Sequence, residues 1–230
     1  MRFAIAGIVA CLLLFSGAIS SSAQTVTGLV ETDIKTPTGT RGVMIRPAGN
    51  GLYPAVLHLH GSGDTVANNV DILRLFARAG YVAMAVEYRQ LKAGSLDIQD
   101  IHESLDYLNS LPHVRRSVVG LNGFSLGGRM ALRVAAHYNV RAVSAIAART
   151  TSGSTPTVIE EAARLTSPIL LQHGAKDTVV PYNDSVLLEK KLRDLGRAVE
   201  LISYPGEGHG SLPWNQVYDR VLSFFATHLR

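Results

Sequence analysis

Three short stretches hold residues able to do nucleophilic chemistry: GFSLG at 123–127, HGAKD at 173–177 and GEGHG at 206–210. In the first, Ser125 stands among Gly123, Gly127 and Gly128, straight after an apolar run and straight before a helical pattern. Glycine belongs where the backbone must take a positive φ or approach another segment closely. A strand-to-helix turn built this way is so sharp that the residues two before and two after the serine nearly touch. It would project Oγ of Ser125 into solvent and aim the N–H of Leu126, at the positive end of a helix, toward a developing oxyanion. A serine hydroxyl is a weak nucleophile, so it needs a base, and the base needs an orienting carboxylate. On a turn of this kind both follow the serine, in the order Ser, Asp, His. Asp177 and His209 stand in loops after two successive apolar runs, in that order. Either residue alone would be unremarkable; the pair on consecutive strand ends points to base-assisted attack of Ser125 on an acyl carbon.

Such residues can meet only if the chain brings those strand ends together. Apolar runs at 55–60, 81–87, 117–122, 142–147, 169–173 and 199–204 are apolar at nearly every position, as strands covered on both faces are. Helical patterns over 70–79, 97–111, 126–138, 185–195 and 214–229 alternate with them; in the second, Ile98, Ile101, Leu105 and Leu108 recur at helical spacing before Pro112. Two leading strands, 26–35 and 41–47, are joined by the turn-forming sequence TPTG and read as an antiparallel hairpin. The alternation implies an α/β fold, a doubly wound, mostly parallel sheet with helices on both faces, and ligands bind such sheets at the carboxyl ends of the strands. The stretch 150–157, rich in Ser, Thr, Gly and Pro, is the only insertion-like loop and is too short for a cap domain.

Taken together, GFSLG, HGAKD followed by Val180-Pro181, and GEGHG resemble the α/β-hydrolase superfamily, in particular its small dienelactone hydrolase-like and prolyl oligopeptidase-like members. The resemblance covers nearly all of the chain after its first two dozen residues. It implies the α/β-hydrolase fold, with Ser125 as nucleophile, His209 as general base and then acid, and Asp177 as the residue that holds the imidazole. It also implies an oxyanion hole made by the Leu126 N–H and an N–H of the HGSG segment at 60–63; Ser62 is the favoured donor, with Gly61 and Gly63 as alternatives. Dienelactone hydrolases proper carry cysteine at the elbow where this chain has serine. The expected activity is cleavage of small carboxylic esters through an acyl-enzyme, with no cofactor. The same triad would serve a peptidase or an acyltransferase, and a non-catalytic scaffold of the same fold is the reading furthest from these residues.

Other residues admit chemical readings. His58 and His60 alternate on a strand, but the acidic and histidine partners of a hydrolytic metal site are absent from the positions that would complete it, so no metal is expected. Arg89, in the sequence EYR at a strand end, could touch an acidic substrate group. Asp184 competes with Asp177 for the acid role, but its place at a helix start suits capping. The 230 residues fit one domain, with 47% hydrophobic and 17% charged residues and a formal net charge of +4. Basic residues between 164 and 197 are interleaved with acidic ones, which argues against nucleic-acid binding.

The N-terminus differs from the rest. Arg2, an apolar run over 3–15 and a small-residue segment ending at Ala23 read as a secretory leader over residues 1–23, with the hydrolase domain over 24–230. The run is short of the roughly 20 residues needed to span a bilayer, so export without stable membrane insertion is expected, to the periplasm or beyond. Cys11, the only cysteine, falls within that leader, and a cleaved chain would hold neither disulfide nor thiolate.

Overall fold

The apolar runs pair into a single sheet. The computed structural model describes residues 23–26, 28–89 and 98–229. Its strands are β1 (Ala23–Val26), β2 (Leu29–Lys35), β3 (Arg41–Pro47), β4 (Tyr53–Leu59), β5 (Val82–Val86), β6 (Val114–Phe124), β7 (Ala142–Ile146), β8 (Ile169–Gly174) and β9 (Val199–Tyr204). They lie in the order β1-β2-β3-β5-β4-β6-β7-β8-β9. From β5 to β9 every neighbouring pair is parallel, and β1, β2 and β3 extend the sheet antiparallel at the β5 edge.

Among the described residues five α-helices cover the sheet: α1 (Val70–Arg78), α2 (Gln99–Ser110), α3 (Leu126–Ala135), α4 (Asn183–Asp194) and α5 (Trp214–His228). Strand side chains alternate between two cores. Ala55, Leu57, Val82 and Met84 pack with Ile101 and Leu105 of α2, Leu132 of α3 and Leu188 of α4. Val56, Ala83 and Ala85 face the other way, onto Leu73 and Phe76 of α1 and Val221 and Phe225 of α5. The unbroken apolar reading of these strands follows, since every residue of β5, β7 and β8 is buried.

The differences from expectation are local. The strand read as starting at 26 is interrupted at Gly28, whose φ of 81° lets Ala23–Val26 fold back as β1 on β2. β6 begins at Val114, three residues early, because Ser117 takes a φ of 60° and the register against β4 shifts there. α3 ends at Ala135, short of the expected 138. Between β7 and β8 the described chain forms only a short 3₁₀ turn, Ala162–Arg164, and no cap is built there. No helix among the described residues is long and apolar enough to cross a membrane. The leader read over 1–23 lies outside the described residues except for Ala23, which opens β1.

Candidate active site

The glycines of GFSLG are set by contact. A Cβ on Gly123 would collide with the carbonyl of Gly127, and one on Gly127 would collide with the Leu59 carbonyl at the end of β4. Residues two before and two after Ser125 therefore touch, as the spacing implies. Ser125 itself takes φ 55° and ψ −114°, a conformation that costs a side-chain-bearing residue roughly 1–3 kcal/mol. Its N–H donates to the Ile146 carbonyl at 2.8 Å, which ties the strained turn to β7. The serine is thus held at the carboxyl end of β6, immediately before the N-terminus of α3.

Asp177 and His209 arrive from the ends of β8 and β9. Their loops are clasped by the Lys176 N–H donating to the Glu207 carbonyl at 2.8 Å. His209 Nδ1 lies 2.6 Å from Asp177 Oδ2, and His209 Nε2 lies 2.9 Å from Ser125 Oγ. A carboxylate only accepts, so Nδ1 carries the proton and Nε2 presents its lone pair to the serine hydroxyl. The His209 ring also packs on Phe124 at a centroid distance of 4.9 Å, and Trp214 braces Phe124 edge-on at 5.2 Å. The nucleophile, base and acid expected from the sequence are brought together within hydrogen-bonding distance.

Asp177 is held on all sides. The Asp177 side chain is fully buried, while that of His209 is 16% exposed. Its Oδ1 accepts from the Val179 and Val180 N–H groups, each at 2.8 Å. Burial alone would raise its pKa, but the donors from His209, Val180 and Val179 outweigh it and leave the carboxyl below its ordinary value. A further donor was missed in the sequence. His173 Nε2 stands 3.0 Å from the Val180 carbonyl and 3.2 Å from Asp177 Oδ2, both acceptors, so Nε2 carries the proton. Its Nδ1 then accepts from Ser185 Oγ at 2.7 Å. Burial lowers the pKa of His173, which keeps it neutral in this tautomer. His173, which opens the HGAKD motif, is thus a second prop for Asp177.

The HGSG segment lies against the elbow. A Cβ on Gly61 would sit 3.3 Å from the Phe124 ring, one residue from Ser125. Tyr88 Oη donates to the His60 carbonyl at 2.5 Å, and the His60 ring packs against Tyr88 in a tilted contact at 4.7 Å. His60 Nδ1 donates to the Gly61 carbonyl at 3.0 Å. Ser62 is exposed, and its N–H has no acceptor among the described residues; the Leu126 N–H is one of the donors that a helix N-terminus leaves unused.

Deeper under this loop runs a chain of polar side chains. Asn122 Nδ2 donates to His58 Nδ1 at 2.8 Å, and His58 Nε2 donates to Asn69 Oδ1 at 3.0 Å. Asn69 Nδ2 in turn donates to Asp64 Oδ2 at 2.8 Å and to the Thr65 carbonyl at 2.7 Å. The segment after Gly63 is thereby anchored to the middle of the sheet. Complete burial lowers the His58 pKa to about 4. His58 and His60 thus belong to separate networks, and no group of three or more His, Cys, Asp or Glu among the described residues is arranged to hold a metal ion.

Arg89 lies beyond Tyr88, and its guanidinium is engaged by Asp100: Nε donates to Oδ2 at 2.8 Å and Nη2 to Oδ1 at 2.7 Å. Asp184 departs from the capping role expected of it. It lies inside α4, where it makes no side-chain cap, and its buried carboxylate accepts from Thr150 N–H at 2.7 Å and Thr151 Oγ1 at 2.9 Å. Its partners come from the loop after β7, which is pinned beside the site.

The dienelactone hydrolase family model matches residues 86–220, from the end of β5 into α5. Ser125, Asp177 and His209 all fall inside the match. A curated relative, the uncharacterized peptidase YtmA of Bacillus subtilis, is 26% identical over 202 residues, covering 71% of this chain and 79% of its own. A Klebsiella pneumoniae protein assigned as a dienelactone hydrolase superposes with a TM-score of 0.75 at 20% identity, over 86% of this chain and 98% of that one. The acetyl xylan esterase from Paenibacillus sp. R4 gives 0.73 at 17% identity, over 91% and 88%. At such identities the two solved structures speak for the α/β-hydrolase fold alone. The family match covers more than half of the 230 residues, so the chain belongs to the dienelactone hydrolase family and is a hydrolase.

Proposed function

We propose that the protein cleaves carboxylic esters of small substrates through an acyl-enzyme on Ser125. The observation that carries this reading is the continuous hydrogen-bonded line from Ser125 Oγ through His209 to Asp177, at 2.9 and 2.6 Å. As Oγ attacks the carbonyl carbon, His209 Nε2 takes its proton, and Asp177 stays ionised beside the imidazolium. The carbonyl oxygen becomes an oxyanion, which the N–H groups of Leu126 and Ser62 are assigned to hold. On collapse, Nε2 returns the proton to the departing alkoxide and leaves the acyl group on Oγ. Water then takes the place of the alcohol: Nε2 deprotonates it, a second tetrahedral adduct forms, and the proton returns to Ser125 Oγ as the acid departs. Water rather than a second alcohol is the acceptor in this reading because, among the described residues, the site opens at strand ends with no cap built between β7 and β8.

Family membership supports hydrolysis of small molecules, and serine at the elbow supports the oxygen nucleophile. Ser125→Ala should lower kcat/KM for p-nitrophenyl esters by about 10³-fold or more, with the circular dichroism spectrum unchanged. Activity retained above about a tenth of wild type would contradict the assignment. A proline-containing p-nitroanilide in the same assay separates the peptidase alternative. The leader-like segment 1–23 supports export, and N-terminal sequencing of protein recovered from the periplasm or medium, with Gln24 found first, tests it.

A further inference from the structure

On the face of the sheet that carries α1 and α5, the two helices meet through Phe76, which packs on Tyr218 and Phe225 at ring-centroid distances of 6.2 and 6.0 Å. Beside this contact a cavity of about 760 Å³ opens between them. α1 lines it with Ile72 and Leu75, α5 with Trp214 and Tyr218, each pair at helical spacing, and Phe124 at the end of β6 completes the apolar wall. Trp214 meets Phe124 edge-on at 5.2 Å and stacks on Tyr218 at 6.1 Å, so the aromatic surface is continuous. Phe124 is shared with the active site, since the His209 ring packs on it at 4.9 Å. Ser125, Asp177 and His209 themselves do not line the cavity. It is a neighbour of the catalytic centre and separate from it.

Three carboxylates, Asp64, Asp71 and Asp219, stand in its walls, and of the described lining residues Arg78 is the one cation. Asp71 is already paired with Arg74 at 2.9 Å. Asp64 accepts from the Thr65 N–H, Asn68 Nδ2 and Asn69 Nδ2, each at 2.8 Å, and all three donors are uncharged. Burial alone would raise its pKa, but these donors outweigh it and leave the carboxyl below its ordinary value. Neither Asp64 nor Asp219 has an ion-pair partner among the described residues. A cavity of this size with apolar walls suits a small organic molecule. Carboxylates beside aromatic faces select for positive charge, because the faces of Trp and Tyr rings are themselves negative. We propose that this cavity binds small amphipathic cations, aryl- or alkylammonium compounds whose apolar body lies against Phe124, Trp214 and Tyr218 and whose charge is met by Asp64 and Asp219.

Trp214 is the only tryptophan of the chain, so its fluorescence reads the cavity directly. The probes are 4-phenylbutylamine, a cation at about pH 7.5, and 4-phenylbutanol, which has the same apolar body and no charge. In the full chain at low salt the amine should change the fluorescence saturably and bind about 5-fold or more tighter than the alcohol. Asp219→Lys, at an exposed position of α5 outside the catalytic machinery, should remove that preference and leave turnover of p-nitrophenyl acetate unchanged. Leu75→Lys, from the facing helix, should remove it too, and it decides the matter should D219K fail to fold. Absence of a saturable change with the amine, equal binding of amine and alcohol by wild type, or a preference that survives the lysine substitutions would overturn the proposal. The amine should also leave KM for p-nitrophenyl acetate unchanged. A KM that rises in proportion to the amine at constant kcat would put the amine at Ser125 and overturn the proposal as well. Should the ester not be turned over at all, the ester-hydrolase reading fails, and the fluorescence titration decides the cavity by itself.

Discussion

At the level of single residues, the acid position is where support matters most. Asp177 receives backbone donors on Oδ1, while His173 and His209 share Oδ2. His173 is therefore a positioning residue: its Nε2–H keeps the carboxylate turned toward His209 and draws off part of its charge. His173→Gln should lower kcat by about 10-fold with little change in KM, as expected where an interaction matters to the transition state and little to the ground state. Because Asp177 would hold more charge against His209, the acid limb of kcat against pH should move to higher pH. A purely structural role would leave that limb in place and lower only the melting temperature. The sequence exposes Ser125, Asp177 and His209 because each sits in a glycine-marked loop at a strand end. It hides His173, Tyr88 and Asn69, whose roles come from partners folded against them from other segments. Asp184 shows the same limit: its position near a helix start suggests a cap, while the groups it binds stand 34 residues back along the chain.

Among the elements, the elbow joins β6 to α3 with no spare room. Gly127→Ala places a methyl group inside the Leu59 carbonyl of β4, and neither backbone can yield without moving the sheet. Overpacking of this kind costs about 1–3 kcal/mol where side chains can give way, and more where backbone meets backbone. Urea denaturation should show G127A destabilised by at least about 2 kcal/mol, with esterase activity reduced even where it remains folded. Native stability with full activity would mean the close approach is not needed. The buried strands are legible because covering both faces leaves them apolar at every position. β1 is not, because one residue, Gly28, turns an apparently continuous strand into a hairpin, and the early start of β6 is hidden by the left-handed Ser117.

For the whole molecule, three buried groups make stability depend on pH. His58 and His173 have pKa values lowered by burial, so the unfolded chain takes up protons at these sites before the folded chain does. Their contribution is complete above about pH 6.5 and declines as the pH falls. For His58 the decline continues to about pH 4 and amounts to roughly 3 kcal/mol. Asp177 has a lowered carboxyl pKa, so its contribution is present above the ordinary carboxylate range and is lost as pH falls through the folded value. Urea unfolding between pH 7 and pH 4 should show stability decreasing continuously, and a flat profile would contradict the neutral, buried state of His58. Since His58 anchors Asn69 and through it Asp64, acid should also loosen the HGSG turn before the sheet gives way. Whether Ser125 forms a covalent intermediate is decided most directly by acid-quenching the enzyme during turnover of a p-nitrophenyl ester and weighing it intact and as peptides. An added acyl mass on the peptide containing Ser125, missing from S125A, is the expected result. An adduct on another residue, or steady turnover by S125A, would contradict it.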